Sequence, residues 1–153
     1  MLYSSTCEYA IRALSHLARQ PPGSLTLLAD IAEAQELPPP FLSKILKDLV
    51  RARMLRSARG RSGGYGLATP AGEISLLQIR EVLDGVGDLE RCAVGLEPCS
   101  DVTPCPLHEL YKPLRAAIRS YLEQTTVADL ARGFEEKRAL IDGVTISQRP
   151  RRS

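Results

Sequence analysis

Apolar residues recur at three- and four-residue steps at the start of the chain: Cys7, Ala10, Ile11, Leu14, Leu17 and Ala18. That period places them on one face of a helix and makes Cys7 a core residue, as free cysteines commonly are. Glu8 and Arg12, four apart in the favourable order, suit a helix-surface ion pair. The segment Gln20-Pro-Pro-Gly-Ser24 then breaks the helix. A second helix, capped by Thr26, is expected to bury Leu28, Ile31 and Ala32, with a short polar turn leading to Leu37. Pro38, Pro39 and Pro40 fix an extended approach and a helix start, after which Leu42, Ile45, Leu46 and Leu49 form an inward stripe. Ser43, Lys44, Lys47 and Arg51 face away. Two helices joined by a tight turn, the second with a basic outer face, match a recognition helix entering a major groove. A solvated surface would carry the same face.

The period then changes. Met54 to Ala58 has strand composition, Arg59-Gly-Arg-Ser-Gly-Gly64 is a flexible basic turn, and Tyr65 to Ala68 returns as a second strand. Together with the helices this predicts a winged helix-turn-helix. The glycines allow the backbone close to DNA, and Arg59 or Arg61 at the tip can enter a narrow minor groove. The spacing fits neither a P-loop nor a dinucleotide fingerprint. The expected DNA surface is therefore Phe41, Ser43, Lys44, Lys47 and Arg51 from the helix, with Arg59, Arg61, Ser62, Gly63, Gly64 and Tyr65 from the wing.

Ser75 with Gln78 forms a capping box opening a linking helix that buries Leu76, Ile79, Val82 and Leu83 before Gly85 and Gly87 stop it. Asp88 to Pro104 lacks periodicity, so it reads as a loop whose order depends on something bound. Leu107, Leu110, Tyr111, Leu114, Ile118, Tyr121, Leu122 and Thr125 make a stripe too broad for one small domain to cover, which points to a twofold partner. Thr126 with Asp129 can cap one more short helix. The predicted fold is mainly α: a winged helix-turn-helix with a small two-stranded β wing and a long C-terminal dimerisation helix. Its division is a DNA-binding domain over 1–72, a linking helix, cysteine loop and dimerisation helix over 73–142, and a disordered basic tail over 143–153.

Hydrophobic residues at 44% and charged residues at 25% of 153 positions exclude a disordered chain and a membrane span. The start lacks the unbroken apolar run of a signal peptide, which makes the cytoplasm the expected compartment and disfavours structural disulfides. A net charge of +2 hides a polarised distribution. Between Lys44 and Gly66 seven basic residues face only Asp48, whereas from Glu73 to Tyr111 eight acids face two arginines. One stretch attracts phosphates and the other repels them. No Ser-His-Asp or paired-carboxylate constellation is legible and His16 lies far from His108, so an enzyme is not expected.

Cys92, Cys99 and Cys105 stand in the acidic loop with gaps of six and five residues, unlike the usual zinc or ferredoxin spacings. Three soft thiolates suit zinc, copper or an iron-sulfur cluster, and spacing alone leaves the metal open. His108 follows Cys105 by three residues and shares its side if a helix begins at Pro106. Pro113, inside that helix, would bend it and could turn His108 away.

The segments Glu8-Tyr-Ala-Ile-Arg-Ala-Leu14, Leu28-Ala-Asp-Ile-Ala32, Phe41-Leu-Ser-Lys-Ile-Leu46, Arg59-Gly60, Gly63-Gly-Tyr65 and the three-cysteine loop, over roughly residues 1 to 132, resemble the Rrf-two family of bacterial transcription regulators. Its branches include the iron-sulfur regulators IscR and NsrR. The resemblance implies a homodimeric winged-helix protein on double-stranded promoter DNA, expected to repress, whose cluster reports redox stress, nitric oxide or iron status. It implies base-reading positions at Phe41, Ser43 and Lys44, and a wing arginine at Arg59. It also selects an iron-sulfur cluster: with His108 as fourth ligand a 2Fe-2S centre is favoured, and with Glu8 of the partner subunit a 4Fe-4S centre. This loop departs from the IscR branch, which has five residues between its first two cysteines. A zinc-dependent or thiol-only regulator, and a winged-helix module that meets an acidic protein, are the alternatives.

Overall fold

The computed structural model describes residues 2–148, apart from the side chains of Asp88 and residues 142–148. Helix α1 (Ser5–Ala18) starts where Ser4, in extended conformation, accepts from the Cys7 amide at 3.2 Å. Its inward face is the one the spacing predicts, with Ala13 and Ser15 added, and Cys7 and Leu14 are fully buried. Burying a leucine to that degree contributes about 1.5–3 kcal/mol. Arg12 does not complete the expected ion pair with Glu8; its guanidinium donates to the Gln35 carbonyl at the end of the next helix.

Helix α2 (Leu28–Gln35) has Leu27 at its N-cap with no side-chain cap, which corrects the role expected of Thr26. The Thr26 backbone is engaged elsewhere. Its amide donates to the Tyr65 carbonyl at 2.9 Å and its carbonyl accepts from the Tyr65 amide at 2.8 Å, so the segment before α2 pairs with the wing. Helix α3 (Pro39–Arg51) begins at the proline run and buries Leu42, Ile45, Leu46 and Leu49. Strands β1 (Leu55–Ala58) and β2 (Gly64–Leu67) pair antiparallel in the register Leu55↔Leu67 to Ala58↔Gly64.

Helix α4 (Leu76–Leu83) opens on the complete Ser75/Gln78 capping box. It buries Leu76, Leu77, Ile79 and, unexpectedly, Arg80, while Val82 is exposed. A four-residue helix α5 (Gly87–Glu90) occupies the start of the segment expected to be loop. Helix α6 (His108–Gln124) runs through Pro113 without interruption, and starts two residues after Pro106. Its predicted stripe divides: Leu122 is buried and Ile118 packs on the protomer's own core, whereas Leu110 is 75% and Leu114 54% exposed, with Leu107 and Tyr121 exposed beside them.

Helix α7 (Val127–Gln148) is far longer than the short helix expected after Thr126. Thr126 and Asp129 do cap it, through Thr126 Oγ1 to Asp129 Oδ2 at 2.6 Å and the Asp129 amide to Thr126 Oγ1 at 3.3 Å. The helix passes Gly143, where a disordered tail was expected; each of its two glycines, Gly133 and Gly143, costs only about 1 kcal/mol. The rest of that tail, 149–153, lies outside the described residues. One core joins α1, α2, α3, the wing base, α4, Leu122 of α6 and Val127 of α7. No helix among the described residues is long and apolar enough to cross a membrane.

Candidate metal centre and nucleic-acid interface

The chain between α5 and α6 folds back so that the sulfurs of Cys92, Cys99 and Cys105 all lie within 4.8 Å of one another, although six and five residues separate them. All three are free thiols. The Cys92 thiol is held down at about 7, first by the Val94 amide, with the Leu96 amide and the neighbouring cysteine thiols adding to it against the cost of burial. Cys105 moves the other way, raised by burial and by sharing its proton with Cys92. One sulfur is thus favoured as a thiolate, next to Cys105, which keeps its proton more firmly.

His108, the first residue of α6, sits at the edge of this trio with its side chain 10% exposed. Its Nδ1 is 3.2 Å from Cys99 Sγ and its Nε2 is 2.9 Å from Asp101 Oδ1. In the tautomer with the proton on Nε2, Asp101 accepts it and the Nδ1 lone pair faces the sulfurs, the orientation by which second-shell carboxylates prepare histidine ligands. Lys112 Nζ holds the same Asp101 oxygen at 2.6 Å, and the two contacts, Lys112 before His108, lower the Asp101 carboxyl below its usual range. Pro113 therefore does not turn His108 away. Asp101 is a residue the sequence reading missed, since nothing in its spacing marks it as the partner of His108. Glu8, half-buried on α1, is not among the groups gathered with the thiols within the protomer. Three thiols and an aimed imidazole are a donor set that fits zinc, copper or iron-sulfur.

At the other end, the wing and the outer face of α3 enclose an open cleft of about 380 Å³ lined by Lys47, Arg51, Ser57, Arg59, Gly64 and Tyr65 among others. Phe41, Lys44, Lys47, Arg51, Arg59, Arg61 and Ser62 are exposed and Ser43 is partly so. Arg51 leans on Asp48 at 2.7 Å, an exposed pair worth little energetically. Gly63 is buried, so it shapes the turn rather than offering surface. The Tyr65 backbone is held by Thr26, leaving its partly buried side chain in the cleft wall. Ser57 in that wall is a polar group the sequence reading did not single out. Phe41 is fixed by Tyr9 of α1, whose ring meets it edge-on with centroids 5.8 Å apart.

Residues 3–133 match the Rrf2 family, described as iron-dependent transcriptional regulators. The chain belongs to the Rrf2 family. A Mycobacterium tuberculosis HTH-type transcriptional regulator is 42% identical over 134 residues, covering 87% of this chain and 83% of its own. An IscR of Vibrio atlanticus is 30% identical over 135 residues, covering 88% and 78%. Among solved structures, CymR, the global cysteine regulator of B. subtilis, superposes with a TM-score of 0.73 at 29% identity, covering 84% of this chain and 95% of that one. T. potens IscR superposes with a TM-score of 0.68 at 28% identity over 88% of each chain. Rrf2 proteins are winged-helix transcriptional regulators, which sets the enzyme class aside and makes DNA the family's partner. Membership also replaces the reading as a module for an acidic protein.

Proposed function

We propose that the protein is a homodimeric transcriptional regulator, acting as a repressor, that couples an iron-sulfur cluster on Cys92, Cys99, Cys105 and His108 to its affinity for promoter DNA. The observation carrying this reading is the gathering of three thiols and the Nδ1 of a carboxylate-oriented His108 from sequence-distant positions. Iron-dependence in the family description and IscR among the relatives favour iron over zinc. A bound cluster would supply a centre sensitive to oxidation, nitric oxide and iron supply, in the 2Fe-2S form with His108 or the 4Fe-4S form with Glu8 of the partner subunit.

The chain's own residues do the rest. The three thiols close the loop on itself, Asp101 and Lys112 hold the imidazole in register, and the stretch from Arg91 to Leu107 has no regular structure to maintain its shape otherwise. The DNA head presents Phe41, Ser43, Lys44, Lys47 and Arg51 to a major groove, and Arg59, Arg61 and Ser62 at the wing to the backbone or minor groove, with Gly63, Gly64 and Tyr65 shaping the wing. The exposed leucines of α6 are the dimer surface, giving two heads and an imperfect palindrome as operator.

A second reading, a metal-free thiol switch, is favoured by the Cys92 thiol at about 7 beside two other sulfurs, and by likeness to an oxidised form of Staphylococcus aureus CymR, 30% identical with a TM-score of 0.67. Anaerobic purification from iron-replete cells separates the two. Coloured protein containing iron and acid-labile sulfide, both lost in Cys92→Ala, Cys99→Ala and Cys105→Ala, is the expected result. Colourless protein without iron or sulfide points to the thiol switch.

A further inference from the structure

The end of α4 grips the beginning of α1. Asp84, the C-cap of α4, accepts from the Ser4 amide at 2.8 Å through Oδ2 and from the Ser4 hydroxyl through Oδ1. Ser4 is at the same time the N-cap of α1, its oxygen accepting from Cys7. One turn back, Arg80 is 3% exposed and donates from Nε to the Leu2 carbonyl at 2.9 Å and from Nη1 to the Gly85 carbonyl at 2.9 Å. A buried guanidinium must keep such acceptors, because losing them strands a charge. Leu2, Ser4, Arg80, Asp84 and Gly85 are thus joined in one hydrogen-bonded group.

This clasp stands between the two sites. Gly85, in left-handed conformation at φ +74, is where the chain leaves α4 for α5 and, after Arg91, for Cys92. The far side of that short stretch is fastened to α6, by Glu90 to Arg119 Nη1 at 3.3 Å and by the Arg91 carbonyl to Arg115 Nη2 at 2.9 Å. On the near side, α1 packs against α3 and carries Tyr9, the ring that seats Phe41 at the start of the recognition helix. The chain from Arg91 back to Gly85, and the Arg80 contacts to Gly85 and Leu2, thus connect the cysteine loop to the residues just ahead of α1.

We propose that Arg80 and Asp84 are the positioning residues through which the state of the cysteine loop sets the DNA head, by way of the N-terminus of α1. The proposal rests on the reading that the loop controls DNA affinity, and adds the route. The rival route passes through α6, whose Tyr121 side chain meets Tyr3 just ahead of α1, and does not depend on Asp84.

The test compares protein reconstituted anaerobically with iron and sulfide against the same protein stripped of both. The probe is a duplex selected from random sequence by the loaded wild type. Wild type should show a loaded-to-stripped affinity ratio of about tenfold, and Asp84→Ala, with unchanged visible absorption and iron content, a ratio below about twofold. Amide hydrogen exchange of wild type provides the second arm, for which no variant has to fold: the Cys7 and Glu8 amides should change protection between the two states. An unchanged ratio in Asp84→Ala, or equal exchange at those amides in a wild type whose affinity does respond, overturns the route. A wild-type affinity ratio of one overturns the proposed function itself and the route with it.

Discussion

Cys7 and Cys92 show how one residue type takes opposite chemistry from its surroundings. Burial pushes the Cys7 thiol up to about 12, with Asp84 adding to it, whereas backbone amides hold Cys92 at about 7. In metal-free protein at pH 8, iodoacetamide should therefore label Cys92 first and leave Cys7 untouched until denaturant is added, as peptide mass mapping would register. Labelling of Cys92 should fall as the pH drops below about 7, where its thiolate takes up a proton. Equal labelling of both thiols in the native state contradicts this assignment. Arg80 is the residue-scale surprise, and its signal was present: it lies four residues after Leu76, inside the apolar stripe of α4, where a surface arginine would not stand. Periodicity placed Leu83 correctly against the core but counted the exposed Val82 into the stripe and passed over Arg80, because it weighs side-chain type, not the partner carbonyls that make a buried charge tolerable.

At the scale of elements, the helices with strong local signals stand where the spacing puts them: α1 on its apolar stripe, α3 behind its prolines, α4 on its capping box. Elements whose boundaries depend on distant contacts were not legible. Thr26 has the residue type of a cap, but its backbone is consumed by Tyr65, about forty residues on, and no local rule reports that pairing. The length of α7 escaped for a related reason, since Gly133 and Gly143 dilute its local helix signal while its start packs along α1. The cysteine loop announced its residues but not its closure; the convergence of three sulfurs and the role of Asp101 are tertiary facts. The wing offers a direct check. Gly64 has φ +132, and a Cβ there would meet the Thr26 carbonyl oxygen at 2.4 Å, so Gly64→Ala should lower the urea unfolding free energy by roughly 1–3 kcal/mol and weaken DNA binding. Ser75→Ala removes only a cap and should cost about 1 kcal/mol without altering DNA binding at saturating folded protein.

For the whole molecule, charge and exposed apolar surface divide the labour. Basic residues concentrate on α3 and the wing, while the stretch carrying the thiols is acidic and would repel a phosphate backbone. With four phosphate contacts from each of two protomers, the log-log dependence of operator affinity on salt should have a slope of roughly −7. A slope near −2 contradicts the DNA face as drawn. The exposed leucines of α6 predict a dimer by sedimentation, dissociated by Leu110→Glu with Leu114→Glu. Regulation requires that the thiol site and the basic head be coupled. The most direct test of that coupling is a titration of one operator duplex with wild-type protein in iron-sulfur-loaded and stripped forms, at one salt concentration and under anaerobic conditions. Coupled sites should give affinities differing by at least about fivefold; superimposable curves from the two forms would mean that the thiol site does not govern DNA binding.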